Sequence, residues 1–181
     1  GSWPPYFPDH PDNAQPVRDI GKSPPTGSKF GTRSNFPADY KKAFFMLDWT
    51  YGRILAVHLA PNGAGYRGRA EVFLRGRPLN VTDLDFGPDG AMYFITGGRK
   101  TQSALYRVRY TGPKTQPLAQ SAQEAARALK SHLLRAERKR AATLDGPFPP
   151  GVLHQDPLIR YTARISLEHR KQFAFTTRDR N

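Results

Sequence analysis

Cysteine is absent from all 181 residues of the chain. Its absence excludes disulfide bonds, thiolate zinc sites and covalent haem attachment through a Cys-x-x-Cys-His motif within these residues. Long apolar runs are missing as well, and none approaches the roughly 18 apolar residues that a membrane-spanning helix needs. We therefore expect no transmembrane segment in this sequence.

Acidic residues are scarce in the second half of the chain. Residues 97–181 hold 17 Lys and Arg against 6 Asp and Glu, whereas residues 1–96 hold 11 against 9. The net charge of +13 therefore comes mainly from the second half. This asymmetry favours an acidic protein, an anionic membrane surface or a nucleic acid as partner, and it does not choose among them.

Large side chains and turn-forming residues are both abundant. The 11 Phe and 8 Tyr suffice for a packed core, and the 16 Gly and 17 Pro indicate many turns and short strands. Residues 1–25 are rich in proline, which removes backbone donors from a sheet. We predict a Pro-rich strap there, with a flexible terminus as the alternative. Trp3, Tyr6 and Phe7 favour a docked strap.

Two series of short strands follow residue 26. The series repeat in order and residue type at a period of roughly 50 residues, the size of one four-stranded propeller blade. We therefore predict two β-propeller blades in residues 26–112. Because propellers typically need about 4–8 blades, we expect a piece of a larger protein or a subunit completed by a partner. The predicted strands are Gly27–Thr32, Ala43–Asp48, Arg53–Leu59, Ala70–Leu74, Val81–Phe86, Ala91–Thr96 and Ala104–Tyr110.

Residues 113–181 change to a helical pattern. Gln116–Ala142 holds apolar residues at i, i+3 and i+4 spacing, which predicts an amphipathic helix. A second helix is predicted from Pro157 to about Lys171, because Asp156 suits an N-cap and proline suits the first helical position. The apolar residues of the first helix are Leu118, Ala122, Ala125, Ala126, Leu129, Leu133, Leu134 and Ala136.

The first predicted helix also has a basic face. We predict it as a surface that binds a protein partner, an acidic protein or an anionic membrane, with a solvated face as the alternative. Nucleic acid is the weakest candidate, because the face has no interleaved aromatic side chains on which bases would stack. The residues of this basic face are Arg127, Lys130, Arg135, Arg138, Lys139 and Arg140.

Two segments resemble known families. Asp156–Glu168 resembles the second helix of a HEAT repeat, with its Asp-Pro start and an Arg four residues after the Asp. Phe36–Tyr40, Leu47–Ile54, Phe86–Tyr93 and Thr96–Val108 resemble the six-bladed β-propeller of the soluble glucose and sorbosone dehydrogenase type. The order of the two resembles large bacterial membrane-bound dehydrogenase homologues, which join this propeller to HEAT repeats and a c-type haem domain.

The resemblance implies a fold and a function. The fold would be mainly β with an α-helical tail: two blades of a partial β-propeller followed by HEAT-like helices in residues 113–181. The function would be quinone-linked oxidation of a sugar or alcohol by a periplasmic or secreted protein. Pyrroloquinoline quinone is the implied cofactor, and haem c would lie outside this segment.

The loops at one end of the predicted blades carry the candidate ligand residues. In a propeller the loops Trp49–Gly52, Gly97–Ser103 and Gly76–Asn80 would open on one face, near the channel mouth where ligands sit. Asp48, Arg53, Arg99 and Lys100 are therefore our candidates for binding an anionic cofactor or a sugar. Alternatively, Asp48 caps a turn and Arg53 pairs with it.

Two functions compete on these observations. One is part of a propeller dehydrogenase, although no general base stands out in residues 26–110 and the five histidines show no metal-ligand spacing. The other is a non-catalytic interaction subunit of a larger periplasmic assembly, docking through the propeller face and the basic helix. The sequence leaves open whether the chain is an enzyme.

Overall fold

The computed structural model describes residues 16–113, 121–143 and 151–169. They divide into two compact units. One unit contains the described residues of 18–60 and 67–119 and holds most of the strands; the other is built on residues 61–66 and the two long helices. The prediction of a mainly β chain with helices in its C-terminal part is confirmed.

The first sheet, which we call sheet I, has four antiparallel strands in the order of the sequence. A one-turn 3₁₀ helix and the short helix α1 (Ala38–Lys41) lie between its first two strands. The prediction located all four strands and missed α1. The strands are β1 (Pro25–Phe30), β2 (Phe44–Asp48), β3 (Arg53–Asn62) and β4 (Gly65–Arg75).

The second sheet, sheet II, has three antiparallel strands: β5 (Val81–Phe86), β6 (Met92–Gly98) and β7 (Thr101–Val108). The prediction of a long loop at Gly97–Ser103 is wrong, because β6 and β7 continue into that segment. Only Arg99 and Lys100 form the turn, and both have positive φ, 47° and 66°. Two consecutive positive φ values give the tight hairpin turn whose twist matches the twist of the flanking strands.

The two sheets share one pairing register. Leu47 lies opposite Ile54 in sheet I, and Ile95 lies opposite Leu105 in sheet II. The first two strands of each sheet also show an irregularity at the same place, between Pro25 and Ser28 and between Val81 and Asp83. The repeat predicted from residue types is therefore present in the strand pairing.

The main hydrophobic core lies between one face of sheet I and one face of sheet II. Phe45, Leu47 and Ile54 are completely buried and share this core with Phe86 and the remaining core residues of sheet II. Large aromatic side chains meet edge to face within it, which adds to the free energy of burial. The buried residues are Phe36, Ala43, Phe45, Leu47, Ile54, Ala56, Leu79, Val81, Leu84, Phe86, Met92 and Phe94.

The first strands of the two sheets lie against each other. The Thr26 hydroxyl donates to the Val81 carbonyl at 2.7 Å. At Gly27, a Cβ atom would lie 2.8 Å from Leu47 Cδ1 and 3.0 Å from an oxygen of Asp83. A larger residue would push both side-chain ends aside, so glycine at residue 27 eases the close approach of β1 to β5.

The helical unit contains α2 (Ala122–Thr143) and α3 (Pro157–His169). Ser121 and Glu124 form a capping box at the start of α2, in which each side chain accepts the other's backbone N–H, at 2.9 and 3.2 Å. The predicted residues 116–120 lie outside the described residues, and so do Arg170 and Lys171. The predicted start of α3 is confirmed, because Asp156 accepts the Leu158 N–H at 2.9 Å.

The buried side of α2 agrees only in part with the predicted apolar face: of the predicted residues, Leu134 packs against the buried cluster of this unit. Leu129 and Leu133 are 62% and 61% exposed, whereas Ser131 and Ala141 are buried. The Ser131 hydroxyl donates to the Gly63 carbonyl at 2.5 Å. The position where α2 meets the backbone of residue 63 is therefore occupied by a small polar side chain and not by one of the predicted leucines. Leu118 lies outside the described residues. The residues buried together in this unit are Ala64, Ala141, Ile159 and Ala163.

Two predictions concern the ends and the membrane. Residues 1–15 of the predicted strap lie outside the described residues, and residues 16–24 form no helix or strand before β1 begins at Pro25. Across the described ranges, no helix is long and apolar enough to cross a membrane. HEAT-type stacking of the helices stays a prediction.

Candidate functional site

Asp48 ends β2 and is buried, with only 1% of its side chain exposed. One carboxylate oxygen accepts the Ser23 hydroxyl and the Tyr51 backbone N–H, the latter at 3.1 Å. The other oxygen accepts Arg53 Nε at 2.6 Å. This is the turn-capping arrangement given above as the alternative to a ligand site, and it engages both oxygens of the carboxylate.

The surroundings of Asp48 keep it ionised. Burial alone would raise its pKa, but the hydrogen bonds from Ser23, Arg53 and the Tyr51 amide outweigh that effect and hold the pKa below its usual range. A general base must have a free lone pair with which to accept a proton from the substrate. A carboxylate with three donors and a lowered pKa suits a structural anchor better than a base.

The turns of the two sheets meet at Trp49. Its indole N–H donates to the Gly97 carbonyl at 2.9 Å, and its own carbonyl accepts Asn80 Nδ2 at 3.4 Å. The Arg99 guanidinium lies over the indole ring, 5.3 Å from its centroid. Lys100 is exposed at the next position of the same turn. Arg99 and Lys100 are among the predicted ligand residues, whereas Trp49, the residue that joins the turns, is not.

A cavity of about 340 Å³ opens at this end of the unit, among residues 50–52 and 75–80. Arg75 and Arg77 are among its lining residues, and none of the described residues that line it is a carboxylate or a histidine. Such a lining suits an anion better than a proton-abstracting reaction, because it offers positive charge without a base. Of the four predicted ligand residues, none lines this cavity.

A second polar cluster, none of whose residues is a predicted site residue, joins α1, β3 and β4. His58 Nε2 lies 2.9 Å from Glu71 Oε1, and Arg69 Nη1 lies 3.2 Å from Glu71 Oε2. Hydrogen bonds from His58 and Tyr40 are the main causes that lower the pKa of Glu71, and the same carboxylate raises the pKa of Tyr40. Tyr40 also contacts the ring of His58. Because side chains alternate along β3 and β4, the strand pattern could have indicated that His58 and Glu71 lie across from each other.

The outer face of sheet II exposes two large apolar side chains, those of Ile95 and Leu105. We define this outer face as Tyr93, Ile95, Leu105 and Arg107, which share a face because side chains alternate along a strand. Ile95 is 45% exposed and Leu105 is 68% exposed. Their equivalents in sheet I, Leu47 and Ile54, are completely buried.

Charged pairs border this outer face. The Arg107 guanidinium donates to Asp89 at 2.5 Å, and the Tyr93 hydroxyl donates to the same carboxylate at 3.0 Å. Lys29 pairs with Asp85 at 3.0 Å on the opposite side. A shallow depression of about 230 Å³ lies between them and includes Ile95 and Leu105. An apolar centre with a polar rim is typical of a protein-binding surface.

The six predicted partner-binding residues of α2 divide into two groups. Arg135 and Arg138 are partly buried: Arg135 lies 4.8 Å from the Tyr66 ring centroid, and Arg138 Nε donates to Thr162 at 2.9 Å. Arg127, Lys130, Lys139 and Arg140 are exposed. The structure thus places Arg135 and Arg138 in contacts within the helical unit.

In the ranges described, no group of three or more His, Cys, Asp or Glu side chains could hold a metal ion. The chain matches no family model, no curated protein and no solved structure.

Proposed function

We propose that this chain is a non-catalytic docking module, in which sheets I and II are two successive blades of an incomplete β-propeller. One observation supports this proposal above the others. The same pairing register places Leu47 and Ile54 in the core but leaves their equivalents Ile95 and Leu105 exposed. A third sheet packed on sheet II as sheet II packs on sheet I would cover them.

The packing of the two sheets favours the propeller arrangement over a closed sandwich. The first strands β1 and β5 lie against each other, and β5 also contacts β2. In a propeller, successive sheets follow one another around a channel with their first strands innermost, and each sheet buries its face on the next. A closed sandwich would need no further sheet, yet it would leave Leu105 in water.

The loop end fits docking better than catalysis. Asp48 is fully engaged by Ser23, Tyr51 and Arg53, and the part of the chain that the structure describes places no base in the lining of the nearby cavity. The resemblance to quinone-linked dehydrogenases still supports a role within such a periplasmic or secreted assembly. In that assembly, a base and a cofactor site would come from elsewhere, and the exposed lysines and arginines of α2 would contact an acidic partner.

Site-specific photo-crosslinking tests the proposal in the cells that make this protein. A photoreactive residue replaces Leu105 in one variant and Leu153, which is 93% exposed in the helical unit, in the control. We expect one dominant crosslink from position 105, to a peptide in which apolar and polar residues alternate as in a strand. Crosslinking at position 105 that is no more specific than at position 153 would contradict the proposal.

A further inference from the structure

The two sheets differ in strand number, and the difference is confined to one edge. In sheet I, β3 has β2 on one side and β4 on the other. Its equivalent in sheet II, β7, has β6 on one side only, and no described strand pairs with its second edge. That edge presents a row of backbone donors and acceptors along eight residues.

The sequence of β7 does not protect this edge. Natural edge strands are commonly blocked by proline, lysine, bulges or inward-pointing charges, because an open edge recruits other strands. The eight residues Thr-Gln-Ser-Ala-Leu-Tyr-Arg-Val contain no proline, no lysine and no acidic residue. Their single charge, on Arg107, is paired with Asp89, and the irregularity in their pairing with β6 lies beside the turn, between Thr96 and Gly98. Leu105 and Tyr106 are both exposed, one on each face of the strand. An edge of this composition is suited to pairing.

A groove runs beside this edge on the side of Tyr106. It has a volume of about 370 Å³, and Ala104, Tyr106 and Gln102 of β7 line it together with Pro78, Asn80 and Thr96. Tyr106 stacks on Phe94, with ring centroids 4.9 Å apart. In sheet I, the fourth strand places Phe73 and Leu74 against the core. The groove leaves room for the side chains that a fourth strand of sheet II would direct inward.

We propose that β7 takes an extended segment of a partner chain as the fourth strand of sheet II, antiparallel to β7. The strand would carry apolar side chains at alternate positions, of which one set fills the groove beside Tyr106. Main-chain hydrogen bonds would supply affinity and the alternate side chains specificity, as in other cases of strand addition. This inference rests on the proposed function in one respect: the partner that supplies the third sheet is taken to supply the fourth strand of sheet II as well.

The purified 181-residue chain and a peptide with the sequence of β4, Gly65–Arg75, provide the test. This peptide is the probe because β4 occupies the equivalent edge in sheet I. We expect saturable binding and slowed hydrogen exchange at every second amide of β7, since only alternate amides point to the open edge. The amides of β3, which is already paired on both edges, serve as the internal control and should not change.

Two modified peptides separate strand addition from simple apolar contact. Each is N-methylated at alternate residues, one at odd and the other at even positions, so that each loses the donors of one edge. Strand addition predicts that one pattern weakens binding at least about tenfold, through several lost hydrogen bonds, and that the other changes it about twofold or less. Equal weakening by both patterns, or no binding of the unmodified peptide, would overturn the inference.

A dimer of this chain joined through its own β7 edges would also overturn the inference, and sedimentation would reveal it as a doubled mass with protected β7 amides. The result of the peptide experiment does not depend on whether a third sheet covers the outer face. Peptide binding reports on the edge of β7, whereas crosslinking from position 105 reports on the outer face. Either result can therefore fail without the other.

Discussion

Sheets I and II share a strand register but differ in what covers equivalent residues. Leu47 and Ile54 lie in the core, whereas Ile95 and Leu105, at the same positions of the second sheet, meet solvent. The residue types remain apolar at both places. Apolar side chains kept at exposed positions of a repeat indicate a surface made for burial, because repeat units rely on their neighbours to complete a core.

The largest difference in the free energy of unfolding is expected between alanine substitutions at the equivalent residues Ile54 and Leu105. Ile54→Ala removes buried methylenes from the core and should lower the free energy of unfolding by about 2–5 kcal/mol. Leu105→Ala should change it by no more than about 0.5 kcal/mol in the isolated chain, since the side chain is largely exposed. Urea unfolding of both variants measures the two values. Equal losses would show that the two faces are buried alike.

The next contrast concerns Asp48 in the second strand of sheet I and Thr96, its equivalent in the second strand of sheet II. Asp48→Ala leaves the Arg53 guanidinium and the Tyr51 amide without their acceptor, and it should cost about 3 kcal/mol. Thr96→Ala, at the equivalent position of sheet II, removes a smaller group that carries no charge and should cost about 1 kcal/mol. Thermal unfolding compares them, with Asp48→Asn as a variant of similar shape. A loss at Thr96 larger than at Asp48 would contradict the anchoring role.

Acid should weaken sheet I through Asp48. Its folded pKa is lowered, so the unfolded chain binds more protons, and stability rises with pH in that window. The contribution is fully present above the unfolded pKa of about 4 and is lost as the pH falls through the folded pKa. Unfolding free energies measured from neutral pH downward should fall more steeply in wild type than in Asp48→Asn. Parallel pH profiles would rule this carboxylate out as a source of acid sensitivity.

The smallest effect is expected at the contact between the turns of the two sheets. Arg99→Ala removes the guanidinium over Trp49 and should cost about 0.5–1 kcal/mol, as for an exposed cation–π pair. Arg99→Lys keeps a cation and should recover part of the loss. Tryptophan fluorescence should report the change at Trp49. Unaltered emission and stability in both variants would show that the contact does not form in solution.

Much of the β unit could be predicted because its signals are local. Alternating apolar residues bounded by Gly, Pro and Asp located all seven strands, and the match between Phe-Phe-Met-Leu-Asp and Met-Tyr-Phe-Ile-Thr indicated the repeat. The turn at Arg99 and Lys100 could not be located in this way, because neither residue is a usual choice for positive φ. The residue types at Gly97–Ser103 therefore predicted a long loop, where the structure has two strands joined by a two-residue turn.

The helical unit and the site depend on contacts that are distant in sequence. Ser131 is buried because it meets Gly63, 68 residues away, which no periodicity along α2 can show. The Ser-x-x-Glu capping box at residues 121–124 is, in contrast, a sequence signal that the prediction of α2 missed. At the loop end, the pairing of Asp48 with Arg53 was predictable as the alternative to a ligand site. The two residues are five apart in sequence and lie opposite each other across a short turn. Trp49 and Gly97 meet only because the two sheets pack.

The central claim is that a third sheet covers the outer face of sheet II, and a unique thiol tests it most directly. The chain has no cysteine, so Leu105→Cys introduces its only thiol. We predict rapid alkylation in the isolated chain and alkylation slower by about tenfold or more in the native cells, where labelling would require local opening. Equal rates in the two settings would show that nothing covers this face and would contradict the account.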